Sequence, residues 1–168
     1  REGLPGAGNL LAFNNGTTRP DGAYSTVEEV VLPVDANGFY THPPSGVAFG
    51  PVTSLWTYAA TPPEDLFSGG LSGADRQPNG NTLICEGRSG DFLEVTMGSN
   101  LAWRYINPVN RDGPMVQGSD PSDNITFRAD RYSLDYPAFE GRDLTPNGTV
   151  ELDPAAVLEF RQAERSPR

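Results

Sequence analysis

The sequence predicts an all-β fold built from repeated four-stranded antiparallel units, and three observations carry that expectation. Glycine and proline are dense, 19 and 16 of 168 residues, and proline is used at roughly twice its average rate. Few windows stay free of both for the length an ordinary helix needs. From Ser72 to Pro108, short β-rich runs alternate with tight turns. The same punctuation, Gly-Asn then Glu-Val then Trp-x-Tyr, occurs in that order in two stretches of the chain. Self-similarity of this kind marks a repeat architecture.

The stretch from Ser72 to Pro108 defines the unit. Ser72-Gly-Ala-Asp-Arg76 leads into Pro78-Asn79-Gly80-Asn81, where Asn-Gly supplies the positive φ of a two-residue hairpin loop. Thr82-Leu-Ile-Cys85 is the second strand, Gly87-Arg-Ser-Gly90 the next turn, and Phe92-Leu-Glu-Val95 the third strand. Gly98-Ser-Asn100 then turns the chain into Leu101-Ala-Trp-Arg-Tyr105. Four antiparallel strands in about 37 residues match one β-propeller blade.

Upstream, Gly8-Asn-Leu-Leu-Ala-Phe13 corresponds to Gly80-Asn-Thr-Leu-Ile-Cys85. Thr26-Val-Glu-Glu-Val30 corresponds to Asp91-Phe-Leu-Glu-Val95, and Ser54-Leu-Trp-Thr-Tyr58 to Leu101-Ala-Trp-Arg-Tyr105. Residues 1–59 are therefore expected to form an incomplete blade without its first strand and with an insertion at 33–51. Residues 60–108, a crossover followed by the defining unit, form a complete blade. Residues 109–152 form a degenerate terminal blade, with Ile125–Tyr132 as its inner strand and Thr149–Leu152 as a last short strand after a Pro/Gly/Asp-rich loop at 107–123. The remainder, 153–168, is a C-terminal helix and tail. Pro154–Glu164 is the one helix candidate, with Asp153 as its N-cap and Pro154 in the first helical position. The fold class is thus a partial β-propeller of about two to three four-stranded antiparallel blades, with one short C-terminal helix. Such a set cannot close a ring and leaves strand edges bare. The chain is expected to be a piece of something larger, completed by missing blades or by other protein chains.

The formal net charge of −10 argues against a nucleic-acid partner, whose phosphate backbone is bound by basic patches. No apolar run reaches the length of a membrane-spanning helix. All 12 basic residues are arginine. Cys85 is the one cysteine and lies in an apolar run, where it reads as a small buried hydrophobe. Neither a Cys or His pair with metal-ligand spacing nor a phosphate-cradling glycine motif occurs, so no metal and no cofactor is expected. Asp120-Pro-Ser-Asp123 is at most a weak calcium-loop signal. Asn-x-Thr sequons occur at Asn15, Asn124 and Asn147 and matter only in a eukaryotic secretory pathway.

Four stretches carry a resemblance: Gly3-Leu-Pro-Gly-Ala-Gly-Asn-Leu-Leu-Ala-Phe-Asn-Asn-Gly16, Ser72-Gly-Ala-Asp-Arg-Gln-Pro-Asn-Gly-Asn-Thr-Leu-Ile84, Trp103-Arg-Tyr-Ile-Asn-Pro108 and Phe127-Arg-Ala-Asp-Arg-Tyr-Ser-Leu-Asp-Tyr-Pro137. In this order they resemble the C-terminal half of bacterial arylsulfotransferase-type β-propellers, over roughly residues 3–146. The resemblance implies an exported six-bladed propeller, hence a periplasmic or extracellular location. It also implies sulfuryl transfer from an aryl sulfate to a phenol, with no nucleotide sulfate donor, through a histidine near the propeller axis. This sequence departs from that pattern. Its one histidine, His42, sits in Tyr40-Thr-His-Pro-Pro within the insertion and reads as a solvated loop residue, so no catalytic residue is assigned.

Sulfuryl transfer builds negative charge on the transferred oxygens, and arginines aimed into a cleft are the groups that answer it. Arg76 lies on the innermost strand of the complete blade. Arg128 and Arg131, with Tyr132 beside them, lie on the corresponding strand of the third unit. These four are the candidate anion- or substrate-binding residues, for a small aryl sulfate or phenol. The competing reading pairs the arginines with Asp75, Asp130 or Asp135 as struts between blades. Trp56, Tyr58, Trp103 and Tyr105 read as inter-blade core, and Asn14 and Asn15 as turn residues that could reach a ligand at the propeller mouth. Two functions therefore stand: a propeller portion of an arylsulfotransferase-like enzyme whose histidines lie outside this chain, or a non-catalytic propeller subunit of a larger extracytoplasmic assembly.

Overall fold

The computed structural model describes residues 2–156. The chain is mostly β, with antiparallel sheets and little helix. The first sheet has three strands in the order β1 (Leu10–Asn14), β2 (Thr26–Val30), β3 (Trp56–Tyr58). The second has four in sequence order, β4 (Ser72–Arg76), β5 (Thr82–Glu86), β6 (Asp91–Val95) and β7 (Leu101–Ile106). A short hairpin, β8 (Val109–Asn110) with β9 (Gly113–Pro114), turns at Asp112 within the loop expected at 107–123. Residues 154–156 are helical, and Asp153 Oδ1 accepts the Ala155 N–H at 2.8 Å. The rest of the helix expected to Glu164 lies outside the described residues.

Strand pairing fixes which side chains share a face. In the second sheet Phe92 stands opposite Tyr105 and Glu94 opposite Trp103, with Leu83 opposite Glu94. In the first sheet Val27 stands opposite Tyr58 and Glu29 opposite Trp56. The two sheets are thus built alike, and β1–β2–β3 aligns with β5–β6–β7. They stack in one direction: Val27 and Tyr58 of the first sheet meet Ile84, Leu93 and Val95 from the opposite face of the second, with Leu66 of the crossover between them. Leu11, Phe13, Trp56 and Ala74 pack around this cluster. Val27, Ile84 and Val95 are fully buried, and each contributes about 1.5–3 kcal/mol of transfer free energy.

Three local expectations are corrected. The hairpin joining β4 to β5 is closed by Gln77 N–H to Asn81 O at 2.8 Å, with Gly80 N–H to Gln77 O at 2.9 Å, so the loop holds Pro78, Asn79 and Gly80 rather than two residues. This is a turn followed by a left-handed residue, and Gly80 takes that position at φ 89°, where a Cβ would be strained. Residues 125–132 do not form a strand. Their one backbone hydrogen bond among the described residues is Thr126 N–H to Gly87 O, and a strand needs a neighbour to pair with. Thr149–Leu152 makes only a single parallel bridge, Leu152 to Val116.

The loop from β6 to β7 repeats the three-residue pattern, closed by Thr96 N–H to Asn100 O at 2.9 Å. Here Ser99, not glycine, sits at φ 62°. Left-handed backbone costs an L-residue about 1–2 kcal/mol, offset in part by the greater chain entropy of glycine when unfolded. Ser99→Gly is expected to raise stability by about 0.5–1 kcal/mol, read as a higher urea midpoint at unchanged slope; a lower midpoint counts against the strain.

Candidate functional site

One constellation of side chains occurs twice. At the end of β4, Arg76 reaches across to the first sheet, where its Nη2 donates to Glu29 Oε2 at 2.5 Å. The Arg76 guanidinium carbon lies 4.7 Å from the centre of the Trp56 ring. The other Glu29 oxygen accepts from Asn9 Nδ2 at 2.6 Å. One repeat later, Arg131 Nη1 donates to Glu94 Oε2, and its guanidinium carbon lies 4.7 Å over Trp103. Glu94 Oε1 accepts from Asn81 Nδ2 at 2.6 Å and Asn79 Nδ2 at 3.2 Å. In both copies, Asn, Glu and Trp come from one repeat and Arg from the segment that follows it.

Local structure explains the placement. Glu29 and Glu94 point to the same face as the tryptophan on the neighbouring strand, by the cross-strand pairing above. Both carboxylates are almost fully buried, and a buried charge persists only when paired and hydrogen-bonded. Burial pushes the Glu94 carboxyl up, but the bonds from Asn81, Arg131 and Asn79 outweigh it and hold it below its ordinary value.

All four sequence-predicted residues, Arg76, Arg128, Arg131 and Tyr132, line one cleft of about 610 Å³ between the end of β4 and residues 128–136. This is a size suited to a small organic ligand. Tyr132 packs against Tyr136 on its wall, with ring centres 4.6 Å apart and planes tilted by 49°. The charges, however, are already matched. Arg76 is held by Glu29, Arg131 by Glu94, and Arg128 Nη2 by Asp130 Oδ1 at 2.6 Å. Asp75, whose Oδ2 accepts from Gln77 Nε2 at 3.1 Å, adds a further negative charge to the lining. Only the Arg128 pair is solvent-exposed, at 68% and 38% for the two side chains. Such a pair is worth about 0–1 kcal/mol, so Arg128 is the one guanidinium that an anion could capture at little expense.

The partners that sequence reasoning missed are Glu29, Glu94, Asn9 and Asn81. Glu-Val was read as punctuation, not as a charge. A second signal was also present: Ala74-Asp75-Arg76 recurs as Ala129-Asp130-Arg131, which singles out Arg131 over Arg128 as the counterpart of Arg76. The remaining candidates are placed elsewhere. His42 is exposed in the insertion. Asn15 donates its amide to Ser68 O at 2.7 Å and Ser72 Oγ at 2.8 Å, tying β1 to β4. Asn124 is buried, and its Nδ2 donates to Asn107 O at 3.0 Å, so that sequon nitrogen serves the fold. Burial, with the Glu86 charge adding to it, pushes the Cys85 thiol up to about 11. Among the described residues no group of three or more metal-ligating side chains gathers. No protein-family model matches this chain, and no curated protein or solved structure matches it.

Removing Arg76 strands the Glu29 charge in the interior. Arg76→Ala is therefore expected to destabilise by about 3–5 kcal/mol, whereas Arg128→Ala changes stability by less than about 1 kcal/mol; urea unfolding of the two variants checks this, and equal effects would sink it. A second expectation concerns pH. Burial raises the Glu86 carboxyl above its ordinary 4.5, so the folded state holds that proton more tightly than the unfolded one. Its contribution to stability then falls as pH rises from the ordinary value through the raised folded one. Glu94 has the opposite sign: its contribution is present above the ordinary value and is lost as pH falls through the lowered one. Glu86→Gln should therefore gain stability relative to the parent chain more at about pH 7 than at about pH 5, measured as urea midpoints at both.

Proposed function

We propose that this chain is a β-propeller-type scaffold whose repeats are interlocked by buried Arg–Glu–Trp constellations and whose cleft they frame. More particularly, it is the propeller portion of an arylsulfotransferase-like protein. One observation supports this reading above the others: the stretches that carry the resemblance supply Asn9, Arg76, Asn81, Trp103 and Arg131 to the interlock, whose carboxylates Glu29 and Glu94 lie outside them. Gly8-Asn9, Gly80-Asn81, Trp103 and the two Ala-Asp-Arg triplets are structural positions of the repeat, and the cleft they build is lined by Arg76, Arg128, Arg131 and Tyr132. In this reading a histidine nitrogen bonds the sulfur as the aryl O–S bond breaks and the aryl oxide leaves, taking up a proton. The acceptor phenol oxygen, losing its proton, then takes the sulfuryl group as the N–S bond breaks and frees the histidine. That histidine is supplied by strands other than those described. Arg128 receives the sulfate, while Arg76 and Arg131 hold the walls.

A second reading is favoured by the charge balance. Each cleft guanidinium already has a carboxylate partner, as befits a non-catalytic propeller subunit of a larger extracytoplasmic assembly. The two separate in an assay of para-nitrophenol release from para-nitrophenyl sulfate, with a phenol as acceptor. The isolated chain is expected to be inactive, and a protein containing it together with histidine-bearing propeller strands to be active. In that protein Arg128→Ala should raise KM for the aryl sulfate about tenfold with stability unchanged. Absence of transfer from every such protein, or an Arg128→Ala variant with unaltered KM, assigns the chain to the second reading.

A further inference from the structure

We infer that the open aromatic face of the second sheet, together with residues 127–132, whose backbone is unpaired among the described residues, is the docking site of a further antiparallel hairpin of the β5–β6 type. The inference deepens the scaffold reading and rests on it. It starts from the likeness of the two sheets. Trp56 and Tyr58 of the first sheet stack on each other, with ring centres 6.3 Å apart and planes 16° apart. Trp103 and Tyr105 of the second do the same, at 5.9 Å and 11°, and Phe92 extends the row at 6.2 Å from Tyr105.

The two rows differ in what covers them. Ile84, Leu93 and Val95 lie against the first, and Tyr58 is only 7% exposed. The second row has no such cover among the described residues: Tyr105 is 38% exposed and Trp103 is 40% exposed. A groove of about 600 Å³ runs along it, between Phe92, Trp103 and Tyr105 on one side and Arg131, Tyr132 and Phe139 on the other.

The arginines give an independent sign of the missing occupant. Besides Glu29, Arg76 donates Nη1 to Gly80 O at 3.2 Å and to Thr82 Oγ1 at 2.6 Å, both on the hairpin that pairs with its own strand. Arg131 occupies the same position one repeat later and has only Glu94 as a hydrogen-bond partner among the described residues. Its own segment shows the same gap. In β4, every residue from Ser72 to Arg76 pairs with β5, whereas residues 127–132 make no backbone hydrogen bond among the described residues. Among the described residues aromatic cover, further acceptors for the guanidinium and a ladder partner are absent together, and in the preceding repeat one hairpin supplies all three.

The chemistry of the occupant follows. One strand pairs antiparallel with 127–132, an addition of the β-augmentation kind. Its turn brings a carbonyl and a Thr hydroxyl to Arg131. Branched aliphatic side chains at the positions of Ile84, Leu93 and Val95 close over Trp103 and Tyr105.

The probe is a synthetic hairpin copying residues 78–97 with Cys85→Ala, added in excess to the full chain and followed by amide hydrogen exchange. Exchange at 127–131 is expected to slow about tenfold, with a blue shift of Trp103 emission in a Trp56→Phe background. A hairpin carrying Ile84→Asp and Leu93→Asp should do neither. One carrying Thr82→Val should bind about tenfold more weakly, as should the wild-type hairpin to an Arg131→Lys chain. Four outcomes overturn the inference: no slowing in excess hairpin, slowing confined to other segments, equal effects from the charged hairpin, or self-association of the chain alone that buries Trp103. The last would hand the face to a second copy. Loss of the arylsulfotransferase reading through silent activity assays leaves these exchange results untouched, so the two failures are distinguishable.

Discussion

The buried contact between Arg76 and Glu29 is the constraint on which the rest of the arrangement depends. An ion pair in the interior adds little net stability, because desolvating both charges offsets most of their attraction. What it adds here is position. The Glu29 carboxylate has partners for both oxygens, Asn9 on one and Arg76 on the other, and Trp56 lies beneath the guanidinium. Sliding one sheet past the other by a residue would break both directional contacts of Arg76 at once, to Glu29 and to Trp56. The aliphatic core between the sheets lacks that directionality, since Val27, Ile84, Leu93 and Val95 could repack with similar area. The polar constellation therefore selects one stacking among several that the apolar surface would tolerate.

This division of labour also governs what the cleft can do chemically. Arginines at the axis were open to two readings, an anion clamp or struts paired with Asp75, Asp130 or Asp135, and they do line one cleft. Yet two of the three point their charge backwards, into glutamates of the repeat behind them. An incoming sulfate meets a lining in which positive charge is already neutralised and Asp75 is in surplus. It gains full electrostatic attraction only from Arg128, whose partner Asp130 is solvated and exchangeable. An arginine count in a sequence thus overstates anion affinity wherever carboxylates recur at the same period.

Much of the fold was legible because its signals are local. Turn residues at Gly80, Gly90 and Ser99, and alternating aromatics at Trp103 and Tyr105, fix strand ends and faces without reference to distant parts of the chain. The three-strand and four-strand sheets follow from them. What was not legible depended on neighbours. Ile125–Tyr132 carries the residue pattern of an inner strand, but pattern alone cannot supply a ladder, and no strand lies beside it among the described residues. The loop at Pro78–Gly80 was misjudged by one residue because the dipeptide Asn-Gly serves both two-residue and three-residue hairpins. The glutamates escaped notice for a different reason. A lone Glu in a strand is ordinarily solvent-facing, and only the recurrence of Ala-Asp-Arg one segment downstream reveals its partner.

In a repeat array each unit is stabilised by its own fold and by the interface with the next. Here the interface has a direction. One unit presents an aromatic row and a buried carboxylate, and the following unit answers with aliphatics and an arginine. The first interface is complete, because both contributions are present. At the second, Arg131 is seated on Glu94 and Trp103, while Trp103 and Tyr105 have no aliphatic cover among the described residues. A seated arginine neutralises Glu94 without a full sheet, so the carboxylate does not stand bare. The apolar surface is left as the unsatisfied part, and hydrophobic burial then favours a partner of the right pleat over water.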